Sequence, residues 1–417
     1  MNNKLGVLIV GFNGSVSTTA IIGAKAIAKN ISPTYGLYTE TLTSSVKDGQ
    51  LDRYNQKPIK EVLGLVDFEN LVFGGWDIDE TDIYSCAKEL GIAPLAVIEA
   101  LSDELRELKA FPGVFSKEYI KNLDATYLAE GESLHDKAQK IRQNITEFKQ
   151  RNNLTRVIVV NVASTEVYHN ISEVHQSLES FEEGLRTNHS EIGPAQTYAY
   201  AALAEGCPYA NFTPSVVEEI PALRELALST NTPIAGKDGK TGQTLLKTAI
   251  APIFRLKNLK VVGWFSTNIL GNKDGLVLDE PGSLKSKIMT KSSVLDQILG
   301  YSPIHKVNIN YYPPRGDDKE AWDNIDIDGM LGMPMQIKIN FLCKDSILAA
   351  GSVLDLVKLL DYCKRIGEKG VQEQLSFFFK SPTTLEPGKQ PIHDFFKQEG
   401  ILKDWIRNKA YGVSYKN

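Results

Sequence analysis

At 417 residues the chain exceeds what one hydrophobic core usually organises, so two domains are expected. Hydrophobic residues make up 42% and charged residues 23%, the balance of a soluble globular protein. A net charge of -5 without a basic tract argues against nucleic acid as a partner, and no apolar run approaches the roughly 20 residues that span a bilayer, which argues against a membrane.

Met1 to Leu5 leads directly into a strand-like run rather than a signal peptide. Cys86, Cys207, Cys343 and Cys363 stand far apart with no CxxC pair, which fits a reducing cytoplasm. The histidines show no HExxH-type spacing, so a His-ligated zinc is not expected. Metal content is otherwise open, because a cation held by carboxylates and substrate leaves no such spacing.

Leu5 to Val10, LGVLIV, is a continuous apolar run of the buried parallel-strand type. It ends at Gly11-Phe12-Asn13-Gly14-Ser15-Val16-Ser17, and Ser17 to Lys29 reads as a helix. Strand, glycine turn and helix open a dinucleotide-binding unit, in which small residues let backbone N–H groups approach a pyrophosphate at the helix N-terminus. The strict GxGxxG pattern is absent, since Asn13 and Ser17 stand where glycine is expected. Asn tolerates left-handed backbone and Ser is small, so the mechanism survives; a bare strand-turn-helix is the alternative. A second strand is predicted over Tyr35 to Thr39, then a polar loop over Thr41 to Tyr54, with Glu40 either a ribose acceptor or a loop carboxylate. Another strand, Asn70 to Gly74, ends in Gly74-Gly75-Trp76-Asp77. An acid just beyond a strand's carboxyl end sits where open α/β sheets bind ligands, so Asp77 is the better ribose candidate. The alternative is a cap for a helix over Ile78 to Leu90.

Residues 79–150 read as mostly helical, with a crossover helix over Lys137 to Gln150. RVIVVNV, Arg156 to Val162, predicts a buried strand followed by Ala163-Ser164-Thr165-Glu166 at the ligand edge. Helices over Pro194 to Glu205 and Glu218 to Ser229 flank a short strand, Tyr209 to Phe212. Next comes Gly236-Lys237-Asp238-Gly239-Lys240-Thr241-Gly242-Gln243-Thr244, with a helix from about Thr244. Glycines, hydroxyls and a helix N-terminus together form an anion cradle, although the P-loop spacing is missing and a surface turn is the alternative.

Leu259 to Phe265, Lys306 to Tyr312 and Met335 to Phe341 alternate like strands and mark a separate α+β unit. Within it, Gly271-Asn272-Lys273-Asp274-Gly275 is a dense turn signal, and Ser283 is a natural N-cap. Leu284, Ile288, Leu295, Ile298 and Leu299 then share one helix face up to Gly300. Lys285, Lys287 and Lys291 oppose the positive end of that helix, at ~0.3–1 kcal/mol each when exposed. Lys287 and Lys291 point the same way, so either an anion compensates both or the face is simply solvated. Pro313 to Lys319 reads as a turn followed by an amphipathic piece, and Lys344-Asp345-Ser346 caps a helix over Ile347 to Ile366. In LSFFFK, Lys380 follows three aromatics, where it either snorkels to water or, if it cannot, has its pKa lowered by burial. The tail from Pro391 is predicted as a docked helix and an end strand.

The runs GWDI (75–78), EIGP (191–194), AGKDGKTGQT (235–244), NILGNKDG (268–275), KSKIMTKSSV (285–294), GDDKEAWD (316–323), KDS (344–346) and LSFFFKSP (375–382) occur in this order. Together they resemble the myo-inositol-1-phosphate synthase family over essentially the whole chain. The resemblance implies an α/β fold: a Rossmann-like doubly wound parallel sheet with an inserted α+β catalytic and tetramerisation domain. Residues 1–244 would form the first part of the NAD-binding domain, 245–345 the insert, and 346–417 a segment returning to the first domain. It further implies a homotetramer and tightly bound, recycled NAD; whether a monovalent or divalent cation is needed is left open by the sequence. The implied reaction converts D-glucose 6-phosphate to 1L-myo-inositol 1-phosphate through C5 oxidation, C6 enolisation, aldol closure of C6 onto C1, and re-reduction.

Carried over residue by residue, Lys287, Lys319 and Lys380 are the implied catalytic lysines, with Asp238 and Asp274 beside them. Lys287 would shuttle the C5 hydroxyl proton, while Lys319 and Lys380 would face oxyanions at O5 and O1. Thr241, Gly242, Gln243, Thr244 and Lys291 are the implied phosphate contacts. Gly11, Phe12, Asn13, Gly14, Ser15 and Val16 would hold NAD, with Asp77, Ala163, Ser164, Thr165 and Thr213. Asp238, Asn272, Asp274, Asp317 and Asp345 would surround the nicotinamide and substrate. Asn13, Ser15 and Ser17 replace parts of the family's glycine-asparagine-rich turn, Phe212 replaces a glycine and Lys273 an asparagine; these bear on cofactor affinity more than on the reaction. The start almost at the first strand is that of a shorter, prokaryote-like form. A sugar-phosphate dehydrogenase or a non-catalytic NAD-binding regulator would share the cofactor unit but has no use for Lys287, Lys291, Lys319 and Lys380 together.

Overall fold

The computed structural model describes residues 3–47, 50–271 and 294–412. Its strands, in chain order, are β1 (Leu5–Val10), β2 (Leu42–Lys47), β3 (Gln50–Pro58), β4 (Leu71–Asp77), β5 (Phe111–Pro112), β6 (Val157–Asn161) and β7 (Tyr209–Asn211). They continue with β8 (Pro233–Gly236), β9 (Lys260–Leu270), β10 (Ile304–Tyr311), β11 (Asp318–Asp328), β12 (Pro334–Lys344) and β13 (Gly370–Val371).

Seven of them form a parallel sheet in the order β13-β8-β7-β6-β1-β4-β5. Every residue of β1 is buried, as a strand covered on both faces requires. Leu5, Val7 and Ile9 pack with Ile21 and Leu356, while Leu8 and Val10 face the opposite way, toward Ile141, Ile145 and Tyr198. Each such side chain stabilises the fold by about 1.5–3 kcal/mol through burial alone. The chain runs outward from β1 to β4 and β5, then crosses back to β6, β7 and β8. The strand order therefore reverses at β1, and such a switch point leaves a crevice beyond the strands' carboxyl ends. Val10 pairs with Trp76 on one side and with Asn161 on the other, so the ends of β4 and β6 flank that crevice.

The second sheet has the order β10-β9-β11-β12, with β9 and β10 parallel and β11 antiparallel to both of its neighbours. Val261, Trp264, Ile325 and Ile327 on one face pack against Ala251 and Phe254 of the Gly242–Leu256 helix and against Val294, Leu295 and Ile298. The other face is open, with Phe265 and Trp322 still 46% and 49% exposed. The long Asp345–Arg365 helix then carries the chain back to the first sheet, where β13 pairs with β8.

Several local expectations differ from the structure. Tyr38–Glu40 is a single 3-10 turn rather than a strand. Asp355 accepts from Tyr38 N at 2.6 Å and Thr39 N at 3.0 Å, taking the donors a ladder would need. The expected polar loop after it is the hairpin of β2 and β3. The helix expected from Ile78 starts at Ile83, where Asp82 accepts from Ser85 N at 3.0 Å, so Asp77 is not its cap. The amphipathic piece after Pro313 is strand β11. The tail helix is present as Phe395–Tyr411, capped by Asp394, and no strand follows it among the described residues. The expected lysine-bearing helix is seen only at its end, 294–299, where Gly300 N donates to Asp296 O at 2.8 Å. Its start at Ser283 lies outside the described residues.

Candidate active site

A cavity of about 330 Å³ opens at the carboxyl ends of β1, β4 and β6. Gly11 closes β1 with φ 83°, and a Cβ on it would lie 2.9 Å from Ala163 Cα. Only glycine fits that close approach. Gly14 is the N-cap of the Ser15–Ala28 helix, and no side chain caps it. First-turn N–H groups therefore face the cavity, which Gly14, Ser15 and Val16 line. Asn13 explains its own presence: its backbone N donates to Asp77 Oδ2 at 2.8 Å and its Nδ2 to the carbonyls of Asp79 and Thr81 at 2.8 and 2.9 Å. It ties the glycine turn to the loop after β4. Phe12 does not belong to this site: its ring is fully buried in the core and its N–H already donates to Trp76 O at 3.1 Å.

Asp77 lines the cavity at the end of β4. Burial pushes its carboxyl above the usual range, opposed by the N–H groups of Asn13 and Ile78. Ala163, Ser164 and Thr165 line the wall after β6, with Ala163 N held by Asn161 Oδ1 at 3.1 Å. Thr213 lines the wall after β7, its hydroxyl on Asn211 Oδ1 at 2.8 Å. The Phe212 ring also lines the cavity and covers Gly239, where a Cβ would lie 1.9 Å from the ring. A bulky residue at 212 is thus accommodated by a missing side chain at 239. Glu40 lies elsewhere, paired with Lys60 at 2.8 Å.

The far end of the same cavity is charged. The loop after β8 and the segment around Phe379 run side by side: Lys240 N donates to Phe378 O, Lys380 N to Asp238 O, and Ser381 N to Lys237 O. This pairing brings Lys380 Nζ to 3.1 Å from Asp238 Oδ1, across 142 residues of sequence. Asp238 itself sits at φ 59°, fixed by its N–H on Thr213 O at 2.8 Å. Lys319, on β11, reaches Asp345 Oδ2 at 3.2 Å, and both lysines are only 5% exposed. Asp317 accepts from the Ser346 hydroxyl at 2.5 Å, and burial raises its carboxyl pKa. Asp238, Asp317, Asp345, Thr241 and Lys380 line the cavity alongside the glycine turn.

Thr241 is the N-cap of the Gly242–Leu256 helix, again without a side-chain cap. Gly242 lies at φ 53°, and a Cβ on it would be 3.3 Å from Lys319 Nζ. A helix N-terminus and an ammonium therefore converge, the arrangement that attracts an anion. Of the five expected phosphate contacts, the four among the described residues do not act alike. Thr241 lines the cavity, whereas the buried Gln243 amide is turned into the second sheet, donating to Asp323 Oδ2 at 3.1 Å. Gln243 is left with its backbone N–H for an anion, and Thr244 is buried. Asn272, Asp274, Lys287 and Lys291 lie outside the described residues.

Among the cavity residues that the sequence reading gives no role, Glu166 stands out. Glu166 is buried, accepts from Ala195 N at 2.8 Å at the start of the Pro194–Ala204 helix, and burial pushes its carboxyl up to about 7. The signal was available, since it directly follows the small residues at the end of β6. Among the described residues, no group of three or more His, Cys, Asp or Glu is placed to hold a metal ion.

A family model described as myo-inositol-1-phosphate synthase matches residues 5–407. Inositol-3-phosphate synthase 1 of Bacteroides thetaiotaomicron is 44% identical over 414 residues, covering 97% of this chain and 95% of its own. The inositol-3-phosphate synthase of Saccharomyces cerevisiae is 30% identical over 457 residues, covering 97% of this chain and 85% of its own. The crystal structure of inositol-3-phosphate synthase from Caenorhabditis elegans has a TM-score of 0.91 at 27% identity, covering 99% of this chain and 87% of that one.

Proposed function

The chain belongs to the myo-inositol-1-phosphate synthase family, and from that premise we propose how its residues turn D-glucose 6-phosphate into 1L-myo-inositol 1-phosphate. The enzyme is an isomerase that uses NAD without net redox change. The observation that carries the residue assignment is the meeting of two lysine–carboxylate pairs, Lys380–Asp238 and Lys319–Asp345, beside an uncapped helix N-terminus at one end of the nucleotide cavity.

The residues present fit a dinucleotide. The Gly11 cradle, which a Cβ would fill, and the uncapped Ser15–Ala28 helix suit a pyrophosphate, and Asp77 suits a ribose hydroxyl. NAD held by these residues would supply the hydride acceptor for oxidation at C5 and the donor for its re-reduction. Lys287 takes up the proton leaving the C5 hydroxyl. Lys319 and Lys380 place ammonium groups at the oxygens on C5 and C1, where negative charge develops during enolisation and aldol closure. Asp238 and Asp345 orient these ammoniums, Asp317 adds a carboxylate to the same wall, and Asp274 is assigned a role beside them by the family resemblance. Thr241, the backbone of Gly242, Gln243 and Thr244, and Lys291 take the phosphate. A monovalent or divalent cation beside the substrate would add to the same charge stabilisation.

Residues 1–244 and 346–417 are assigned to the NAD-binding unit and 245–345 to the catalytic insert, in line with the two sheets. The open face of the second sheet, with Val262, Phe265, Trp322 and Leu342 exposed, supports assembly into a homotetramer. No helix among the described residues is long and apolar enough to cross a membrane. Cysteines spaced singly and unpaired support a cytoplasmic setting.

The test is absorbance at 340 nm during incubation with glucose 6-phosphate and NAD. An isomerising enzyme forms product without accumulating NADH. Accumulation of NADH in step with product would make the protein a dehydrogenase instead.

A further inference from the structure

Behind the helix that begins at Gly242, the second sheet holds a buried polar network that neither cofactor binding nor the proton steps account for. At its centre is Asp323 of β11, 3% exposed. Its Oδ1 accepts from the Trp264 indole Nε1 at 2.6 Å and from the Ser266 hydroxyl at 2.7 Å. Its Oδ2 accepts from Gln243 Nε2 at 3.1 Å. The Gln243 carbonyl oxygen accepts in turn from Asn268 Nδ2 at 2.7 Å. The amide orientation of Gln243 is thereby fixed from both ends: the carboxylate accepts only from its NH2, and the Asn268 NH2 donates only to its oxygen.

Gln243 sits in the first turn of its helix, next to Gly242. Lys319, Ala321 and Asp323 alternate along β11 and so share one sheet face. The register confirms it, with Lys319 opposite Leu270, Ala321 opposite Asn268 and Asp323 opposite Ser266. One strand therefore carries both the ammonium that meets the helix N-terminus and the carboxylate that anchors the next residue of that helix. We propose that Asp323 is a positioning residue: through Gln243 it holds the first-turn N–H groups at the height of Lys319 Nζ, so that both meet one phosphate. This rests on the reading of that helix end as the glucose 6-phosphate site.

An asparagine at 323 has one acceptor oxygen for three donors and turns an N–H2 against the others. The experiment compares wild type, Asp323→Asn, Gln243→Met and the double variant, all as full chains. The readouts are steady-state kinetics with glucose 6-phosphate, competition by inorganic phosphate, and NAD titration. For Asp323→Asn, KM for glucose 6-phosphate and the inhibition constant of inorganic phosphate both rise about tenfold, the size of one lost hydrogen bond to a charged group. The change in kcat is smaller than the change in KM, and NAD affinity is unchanged. Gln243→Met does the same, and the double variant is no worse than either single one, because both break one linkage. Unchanged KM and phosphate inhibition, or additive losses, would overturn the proposal. If Asp323→Asn does not fold, Gln243→Met carries the test by the same readouts. Protection of the protein from thermal unfolding by inorganic phosphate separates the two levels. Should wild type form no inositol phosphate while phosphate protection still falls in the variants, the functional reading fails and the positioning role stands.

Discussion

The two ends of the cavity are built on different principles. At the nucleotide end, backbone does the work: Gly11 approaches Ala163, Gly14 leaves a helix uncapped, and Asn13 ties two loops together. At the substrate end the working groups are side chains, lysines held by carboxylates that arrive from distant parts of the chain, Asp238 with Lys380 and Lys319 with Asp345. The first end is suited to hold a cofactor through repeated turnovers. The second, on the proposed assignment, would place positive charge where negative charge appears and then disappears.

A second contrast sharpens this. Lys240 and Lys247 are as deeply buried as Lys319 and Lys380, but among the described residues neither is in an ion pair with a carboxylate. Lys240 donates to Gln398 and lies near the Phe377 and Phe395 rings, while Lys247 meets His305 Nε2 at 2.8 Å. Burial brings these amines down to about 7 and about 8. Burial alone therefore does not single out the lysines proposed as catalytic; what sets them apart is a carboxylate partner that lines the cavity, Asp238 for Lys380 and Asp345 for Lys319.

Breaking each end should give different signatures. The largest effect is expected for Lys380→Ala, which removes the ammonium proposed to face the reacting oxygens. It should lower kcat by about a hundred- to thousandfold while NAD affinity stays near wild type, measured by steady-state kinetics and NAD titration. A parallel loss of NAD binding would merge the two ends. Next, Gly11→Ala forces a Cβ against the Ala163 backbone at a positive φ. It should weaken NAD binding by at least about tenfold and leave kcat at saturating NAD less affected. The smallest effect is on stability. Lys240 titrates at about 7 in the folded chain against an ordinary 10.5, so between those values the unfolded chain binds more protons and stability rises with pH. Lys240→Met should flatten that rise in urea unfolding, with its advantage over wild type greatest near pH 7 and shrinking toward pH 10.5. An equal slope in both proteins would place the titrating amine elsewhere.

The same contrast governs what the sequence makes legible. The β1 run, the glycine turn, Asp77 and Ala163-Ser164-Thr165 follow from local pattern, because each lies where a buried strand ends. The charged end does not follow from pattern: Lys380 and Asp238 stand 142 residues apart, and only the family resemblance brought them together. The strand expected over Tyr35 to Thr39 gives way to a turn because the decisive partner, Asp355, lies on a helix more than 300 residues later. Gln243 was assigned to the phosphate as a whole residue, since nothing local shows that its amide faces Asp323. Phe12 was included by adjacency, although an apolar residue between two glycines more naturally turns into the core.

The central claim, one cavity that both stores and returns a hydride around a carbon–carbon closure, is tested most directly by phosphorus NMR. The sample holds glucose 6-phosphate with NAD at a small fraction of the substrate concentration. The account predicts complete conversion to inositol phosphate, with many turnovers per NAD. An oxidised sugar phosphate, or product that stops at the amount of NAD supplied, would contradict it.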